Sequence, residues 1–297
     1  MKMGIIGLGR MGNAIAFRAI EGGHEVIGFD DYLQARSQAE KIGVTVVDNL
    51  AVMSEEVRIF WLMVPADAVE TVIKTLRPHI KGGDIIIDGG NSKYTDSIRR
   101  AYELAEENIF FLDCGTSGGI QGRGQGFCLM IGGDKTTYTK IHSLLIAIAA
   151  SGGLAHVGPS GAGHYTKMIH NGIEYALLQA YAEGFHLLKD GGFTLNLEEI
   201  SRLWNNGAII RSWILELAHD IFRQDQELRD ISGEIAESGM GRWTVEEAVK
   251  DNIPARVIEE SLLVRAWSRE TGGNYATKIV ALLRHKFGGH PVKKIKE

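Results

Sequence analysis

The 297-residue chain reads as an α/β domain with a doubly wound sheet, followed by an all-α domain. Three observations predict this. Short apolar runs alternate with helical periodicity through the first half, the rhythm of a parallel sheet covered by helices on both faces. A glycine-rich turn joins the first apolar run to the first helical stretch. Residues 163–189 hold no proline and carry apolar residues at helical spacing, leading into a second half that reads as helices throughout. The length suits two domains on a prior of roughly 100–200 residues each, which we set at 1–162 and 163–297.

In order, strands are expected near 3–6, 25–29, 58–64, 85–88 and 110–113, separated by helical stretches. Strand signals at 127–131 and 154–157 flank a helical stretch at 138–149 and extend the sheet until Gly158-Pro159-Ser160-Gly161 breaks the pattern. The long helix stops at Gly191-Gly192. Further helices are expected at 197–205, 209–225, 244–250, 254–269 and 275–287. Lys293, Lys294 and Lys296 read locally as a solvated tail.

The first strand runs into Gly7-Leu8-Gly9-Arg10-Met11-Gly12 and then a helix, the placement a dinucleotide fingerprint requires. Gly7 permits the tight turn, Gly9 admits the pyrophosphate to the backbone, and Gly12 lets helix and strand pack closely. The helix N–H groups then face phosphate oxygens. A second strand ends at Asp30, 18 residues beyond Gly12, where a carboxylate can accept from ribose hydroxyls. This is a Rossmann-type domain, and Asp30 argues for NAD. NADP would need a cation for its extra phosphate, with Arg10 and Arg36 as the candidates; Asp31 reads as a helix cap. Val64-Pro65 should border the adenine or nicotinamide ribose.

Composition narrows the function. Apolar residues at 44% and charged residues at 23%, with no apolar run of the ~18 residues a bilayer demands, predict a soluble protein with no membrane partner. The N-terminus shows no targeting pattern, which predicts a cytoplasmic location. A net charge of -5 with mixed signs argues against nucleic acid. Cys114 and Cys128 have neither disulfide nor metal-ligand spacing and read as buried apolar residues, and no metal site is expected.

The segment GAGHYTKMIHNGIEY at 161–175 carries the chemistry. At 100° per residue Lys167, His170, Asn171 and Glu174 fall within about 100° of arc, so amine, imidazole, amide and carboxylate share one helix face. Such a face can move protons; it can also be a solvated surface with a Lys–Glu pair. Its place directly after the cofactor domain favours the first reading.

With these residues the chain resembles the short form of the decarboxylating 6-phosphogluconate dehydrogenases. The matching segments are the GLGRMG turn, DGGNS at 88–92, SGG at 117–119, KMIHNGIEY at 167–175, GRWT at 241–244 and RHKFGGH at 284–290. The first three belong also to the wider β-hydroxyacid dehydrogenases. The resemblance implies oxidation of 6-phosphogluconate to ribulose 5-phosphate and carbon dioxide with reduction of NAD or NADP. It implies Lys167 as general base, Glu174 as general acid, and His170 and Asn171 as groups that orient the substrate. Asn91, which also borders the cofactor, and Ser117, Gly118 and Gly119 would bind hydroxyls and carboxylate. Tyr175, Arg242, Thr244, Arg284 and His290 would hold the phosphate, Arg242 standing where the family commonly has lysine. The family's tail reaches into the neighbouring subunit's active site, which implies a homodimer or homotetramer. One substrate arginine of the long form has no secure counterpart, with Arg211 and Arg269 as candidates. Competing readings are a non-decarboxylating β-hydroxyacid dehydrogenase or imine reductase, and a non-catalytic dinucleotide-binding regulator.

Overall fold

The computed structural model describes residues 1–237 and 239–295. The chain divides into two compact units, Met1–Lys167 and Met168–Glu297. Unit 1 contains strands β1 (Lys2–Ile6), β2 (Glu25–Phe29), β3 (Thr45–Val46), β4 (Ile59–Leu62), β5 (Ile85–Asp88), β6 (Phe110–Ser117), β7 (Phe127–Gly133) and β8 (Ala149–Gly158). They form one sheet in the order β3-β2-β1-β4-β5-β6-β7-β8. The helices between them are α1 (Arg10–Glu21), α2 (Leu33–Glu40), α3 (Leu50–Glu56), α4 (Val69–Leu76), α5 (Tyr94–Ala105), α6 (Gly122–Gln125), α7 (Lys135–Lys140) and α8 (His142–Ile148).

The apolar runs of the central strands are buried on both faces, as a doubly wound sheet demands. Ile5, Trp61 and Ile87 enter one core cluster, while their neighbours Ile6, Leu62 and Ile86 enter the cluster on the other side. Reversal of strand order at β1, which pairs with both β2 and β4, opens the crevice where ligands bind such sheets.

Three details depart from the expected elements. β7 runs antiparallel to β6, because a glycine-rich 3-10 turn and the four-residue α6 are too short for a crossover. β3 is a two-residue edge strand, too short to leave a periodic signal. The helix expected at 138–149 is two helices that break at Ile141. Cys128 also departs from expectation: it is exposed, since it takes the face of β7 opposite Phe127 and Leu129, whereas Cys114 is buried. Burial pushes the Cys114 thiol up to about 12.

Helix α9 (Ala162–Asp190) starts in unit 1. The buried Asp113 carboxylate at the centre of β6 accepts the N–H groups of Gly161 (2.6 Å) and His164 (2.8 Å), so strand β6 caps this helix. Gly163 is required there: a Cβ would lie 2.4 Å from the Met130 carbonyl oxygen and 2.5 Å from that of Asp113.

Unit 2 contains the rest of α9 and helices α10 (Leu197–Asn205), α11 (Trp213–Gln224), α12 (Met240–Lys250), α13 (Arg256–Thr271) and α14 (Tyr275–Gly288). Leu178, Ala182 and Phe185 of α9 pack with Leu215, Ile221 and Phe222 of α11 and with Ile279, Val280 and Leu283 of α14. α11 begins at Trp213, later than the pattern suggested, because Ser212 caps it by accepting the Leu215 N–H. The end of the chain is not simply a solvated tail. Lys294 bridges to Ile231, the Ser232 N–H donates to the Lys293 carbonyl, and the Lys293 ammonium pairs with Glu234. Lys296 lies outside the described residues.

Candidate active site

In unit 1 the cofactor turn has the expected mechanics. Gly7 adopts φ +96°, and a Cβ there would meet the Met63 carbonyl oxygen at 2.5 Å. A Cβ on Gly12 would stand 1.9 Å from the Gly7 carbonyl oxygen, so only glycine lets α1 lie on the turn. Gly9 differs: nothing lies within 4 Å of its Cβ position, so packing within the chain does not require a glycine there. Gly9 provides no side-chain cap for α1, whose N-terminus lies at the glycine turn, the kind of place that suits an anion.

Asp30 follows β2. Its Oδ2 accepts the Leu8 N–H (2.7 Å) and its Oδ1 the Tyr32 N–H (2.8 Å), fixing the carboxylate beside the turn with lone pairs left for a ribose diol. Leu8, Gly9, Arg10, Met11, Asp30 and Tyr32 line part of a cavity of ≈ 680 Å³, with Arg123 on its wall. Arg36 is spent elsewhere. Its Nε donates to the Asp30 carbonyl, its Nη1 to Asp48 (3.1 Å), and its guanidinium lies over the Phe29 ring. Val64 follows β4 with its carbonyl against Gly90, where a Cβ would come within 2.9 Å.

Asn91 is exposed on the loop after β5, and that loop is pinned from beneath. Asp88, fully buried, accepts the Gly90 N–H (3.1 Å) and the Ser92 hydroxyl (2.6 Å), and Arg100 donates to it at 3.3 Å. Ser117 ends β6, and Gly118 and Gly119 turn at φ +127° and +56°. On the same strand Gly115 bears no side chain because Lys167 occupies that space: a Cβ at 115 would lie 2.6 Å from the Lys167 Cβ. The structure therefore lays buried Lys167 against β6, two residues before Ser117.

In unit 2, His170 Nδ1–H donates to Asn171 Oδ1 at 3.1 Å. Tyr175 is buried, and the Arg265 guanidinium stacks 3.3 Å from its ring centroid. Arg265 is 1% exposed, and neither Nη1 nor Nη2 has a hydrogen-bond partner. Burial pushes it down to about 10, and Arg284, Tyr175, Glu174 and Glu237 act on it electrostatically. Arg284 is lowered in the same way, first by burial, and it feels Tyr175 and Glu174. A buried guanidinium with unused Nη donors, stacked on a tyrosine, is chemically suited to receive an anion.

Sequence reasoning missed Arg265 and turned to Arg211, which is exposed, and Arg269, whose Nη1 donates to the Ile235 carbonyl at 3.1 Å. The signal was Ser261, Arg265 and Ser268 at spacings of four and three, a buried stripe with no apolar side chain. Thr244 does not present a free hydroxyl: it donates to the Met168 carbonyl (2.7 Å), with the Met240 carbonyl at 3.1 Å, and fastens α12 to α9. Arg242 pairs with Glu237 through both ends of its fork. Arg284, expected among the phosphate-binding residues, lies on α14, which packs into the core of unit 2, and it is electrostatically close to Tyr175 and Glu174. His290 folds back, its ring against Gly288 and edge-on to Phe287.

Comparison with known proteins fixes the relationship. A family model for the NAD binding domain of 6-phosphogluconate dehydrogenase matches residues 2–159, and one for the C-terminal domain of that enzyme matches residues 163–293. The chain belongs to this family. A 6-phosphogluconate dehydrogenase of Haloferax volcanii, described as NAD(+)-dependent and decarboxylating, is 43% identical over 98% of both chains. An NADP(+)-dependent decarboxylating enzyme of Bacillus subtilis is 35% identical over 89% of this chain, which spans 60% of that protein. The solved 6-phosphogluconate dehydrogenase of Plasmodium falciparum, studied with NADP+ and with 6-phosphogluconate, superimposes with a TM-score of 0.82 at 28% identity. That match covers 90% of this chain and 62% of the other. As a 6-phosphogluconate dehydrogenase family member, the chain is an oxidoreductase whose unit 1 binds a nicotinamide dinucleotide, and the open Gly9 cradle with Asp30 fits that group.

Proposed function

We propose that this chain oxidises 6-phosphogluconate at carbon 3 and releases its carboxyl group as carbon dioxide, yielding ribulose 5-phosphate. The observation that carries the reading is the Arg265–Tyr175–Arg284 cluster, where the buried Arg265 guanidinium retains two Nη donors that a phosphate dianion can satisfy, with Arg284 electrostatically coupled to the same tyrosine. A dehydrogenase of small unphosphorylated hydroxy acids has no use for that charge.

Lys167 takes the proton of the 3-hydroxyl as hydride leaves carbon 3. Bound nicotinamide dinucleotide supplies the acceptor for that hydride. The resulting 3-keto acid loses carbon dioxide because the ketone accepts the electron pair, and Lys167 returns its proton to the ketone oxygen. Glu174 then protonates the former carbon 2 of the enediol, which becomes carbon 1 of ribulose 5-phosphate, while Lys167 takes back the proton of the enediol hydroxyl as the ketone forms. The Asn171 amide, oriented by His170, and Asn91, held by the Asp88 loop, hydrogen-bond substrate oxygens. NAD is the preferred cofactor: the Asp30 carboxylate repels a 2′-phosphate, and Arg36 is committed to Asp30 and Asp48.

The test is a steady-state assay with 6-phosphogluconate and each cofactor, following reduced nicotinamide and carbon dioxide together. Equal amounts of both are expected, faster with NAD. Reduced cofactor without gas would sink the decarboxylating assignment.

A further inference from the structure

Glu237 is a carboxylate paired with the outer arginines of this cluster, beside Glu246, which also acts electrostatically on Arg242, and the chemistry just proposed does not use it. Its two oxygens take both ends of the Arg242 fork, Nε at 3.0 Å and Nη2 at 2.8 Å. Arg269 Nη2 stands 3.6 Å from the same carboxylate, and Arg265 lies close enough to act on it electrostatically. Its side chain is 13% exposed, whereas that of Arg242 is 62% exposed. A carboxylate receiving two parallel N–H bonds from a guanidinium reproduces the geometry in which that guanidinium would hold two phosphate oxygens. Glu237 is thus an internal anion resting on the arm of the phosphate receptor, and an arriving phosphate must compete with it for Arg242.

We propose that Glu237 is a specificity-determining counter-ion: it occupies Arg242 until a dianionic phosphate displaces it, and so discriminates against weaker anions. This rests on the reading of the Arg265 cluster as the phosphate site. A monoanionic carboxylate on a ligand can only exchange with Glu237 like for like, and gains little. A phosphate dianion brings twice the charge and engages Arg242 together with Arg265 and Arg284. The cost of displacing Glu237 is a partly exposed ion pair, which corresponds to about a two- to tenfold loss of anion affinity.

The experiment is titration calorimetry of inorganic phosphate into the full-length protein with NAD present, using the wild type, Glu237→Gln, Glu237→Asp, Arg242→Ala and the Glu237→Gln/Arg242→Ala double variant. Glu237→Gln should bind phosphate about two- to tenfold more tightly, a gain that a merely structural role for Glu237 cannot produce. Glu237→Asp, which keeps the charge, should restore binding toward the wild type, and the gain should vanish in the double variant. If Glu237→Gln does not fold, Glu237→Ala carries the same comparison. Unchanged or weaker phosphate binding on loss of the charge, while Arg242→Ala still weakens it, would overturn the counter-ion proposal alone. If Arg242→Ala leaves phosphate binding unchanged, Arg242 is no part of the receptor and both readings fail at this residue.

Discussion

Replacing Arg265 with methionine should make the unliganded protein more stable and leave it unable to hold its substrate. Arg265 is buried to 1% exposure, and its charged form is disfavoured enough to bring it from the usual arginine range down to about 10. At about 1.4 kcal/mol per pH unit, keeping it charged costs the folded state on the order of 3 kcal/mol at neutral pH. Stacking on Tyr175 offsets ~1–2 kcal/mol of that, because a desolvated cation–π contact is stronger than an exposed one. Methionine fills similar space without a charge, so Arg265→Met should raise the unfolding free energy by about 1–2 kcal/mol. The sign with pH follows. A basic group depressed on folding penalises the native state below its folded value and stops doing so above it, so the advantage of the variant should shrink as pH rises through about 10. Guanidinium denaturation with and without 6-phosphogluconate reads both effects. The wild type should gain ~3 kcal/mol at a hundredfold excess of ligand over Kd, and the variant almost nothing. A variant destabilised by several kcal/mol would show that the guanidinium is internally paired, and one that still gains from substrate would remove Arg265 from the receptor.

Lys167→Ala should abolish turnover, by at least about a thousandfold, while cofactor titration followed by fluorescence stays nearly unchanged; residual turnover near wild type refutes its role. Glu174→Gln should slow carbon dioxide release and enediol protonation more than cofactor reduction in single-turnover measurements, and equal slowing of both would count against it. Thr244→Val should cost about 1–3 kcal/mol of stability, because the Met168 carbonyl loses a buried donor. A large rise in KM for 6-phosphogluconate at unchanged stability would instead return Thr244 to the phosphate contacts. Asp30→Ala should narrow the ratio of kcat/KM for NAD over NADP, and an unaltered ratio would show that the carboxylate does not select.

Much of unit 1 was legible because its signals are local. A strand, a glycine turn and a helix are adjacent in sequence, and an apolar strand buried on both faces announces itself in a few residues. The direction of β7 was not legible, since alternation fixes which residues face inward and says nothing about which way the strand runs. The helix at 161–175 was readable as one face of polar groups, but the partners of those groups come from far along the chain. Thr244 reaches Met168 across 76 residues. Arg265 escaped because a buried guanidinium whose two Nη groups lack hydrogen-bond partners contradicts every pattern used to assign a helix face. Glu237 escaped because a lone glutamate in a loop carries no periodicity, and only coordinates pair it with Arg242.

The cap that Asp113 supplies to α9 also sets the order in which this molecule can come apart. The two amides it holds belong to residues 48 and 51 positions downstream, so the helix start, apart from the Ala162 N–H on the Pro159 carbonyl, closes its first N–H groups on a distant strand. Until β6 and β7 are paired, the turn bearing Lys167 has nothing to seat on. The amides of Gly161 and His164 should therefore exchange with solvent only when the whole sheet opens, whereas a helix capped by its own sequence would fray alone. Lys167 is thereby tied to the sheet of unit 1, and a partly unfolded form that has lost the sheet is expected not to retain it in place.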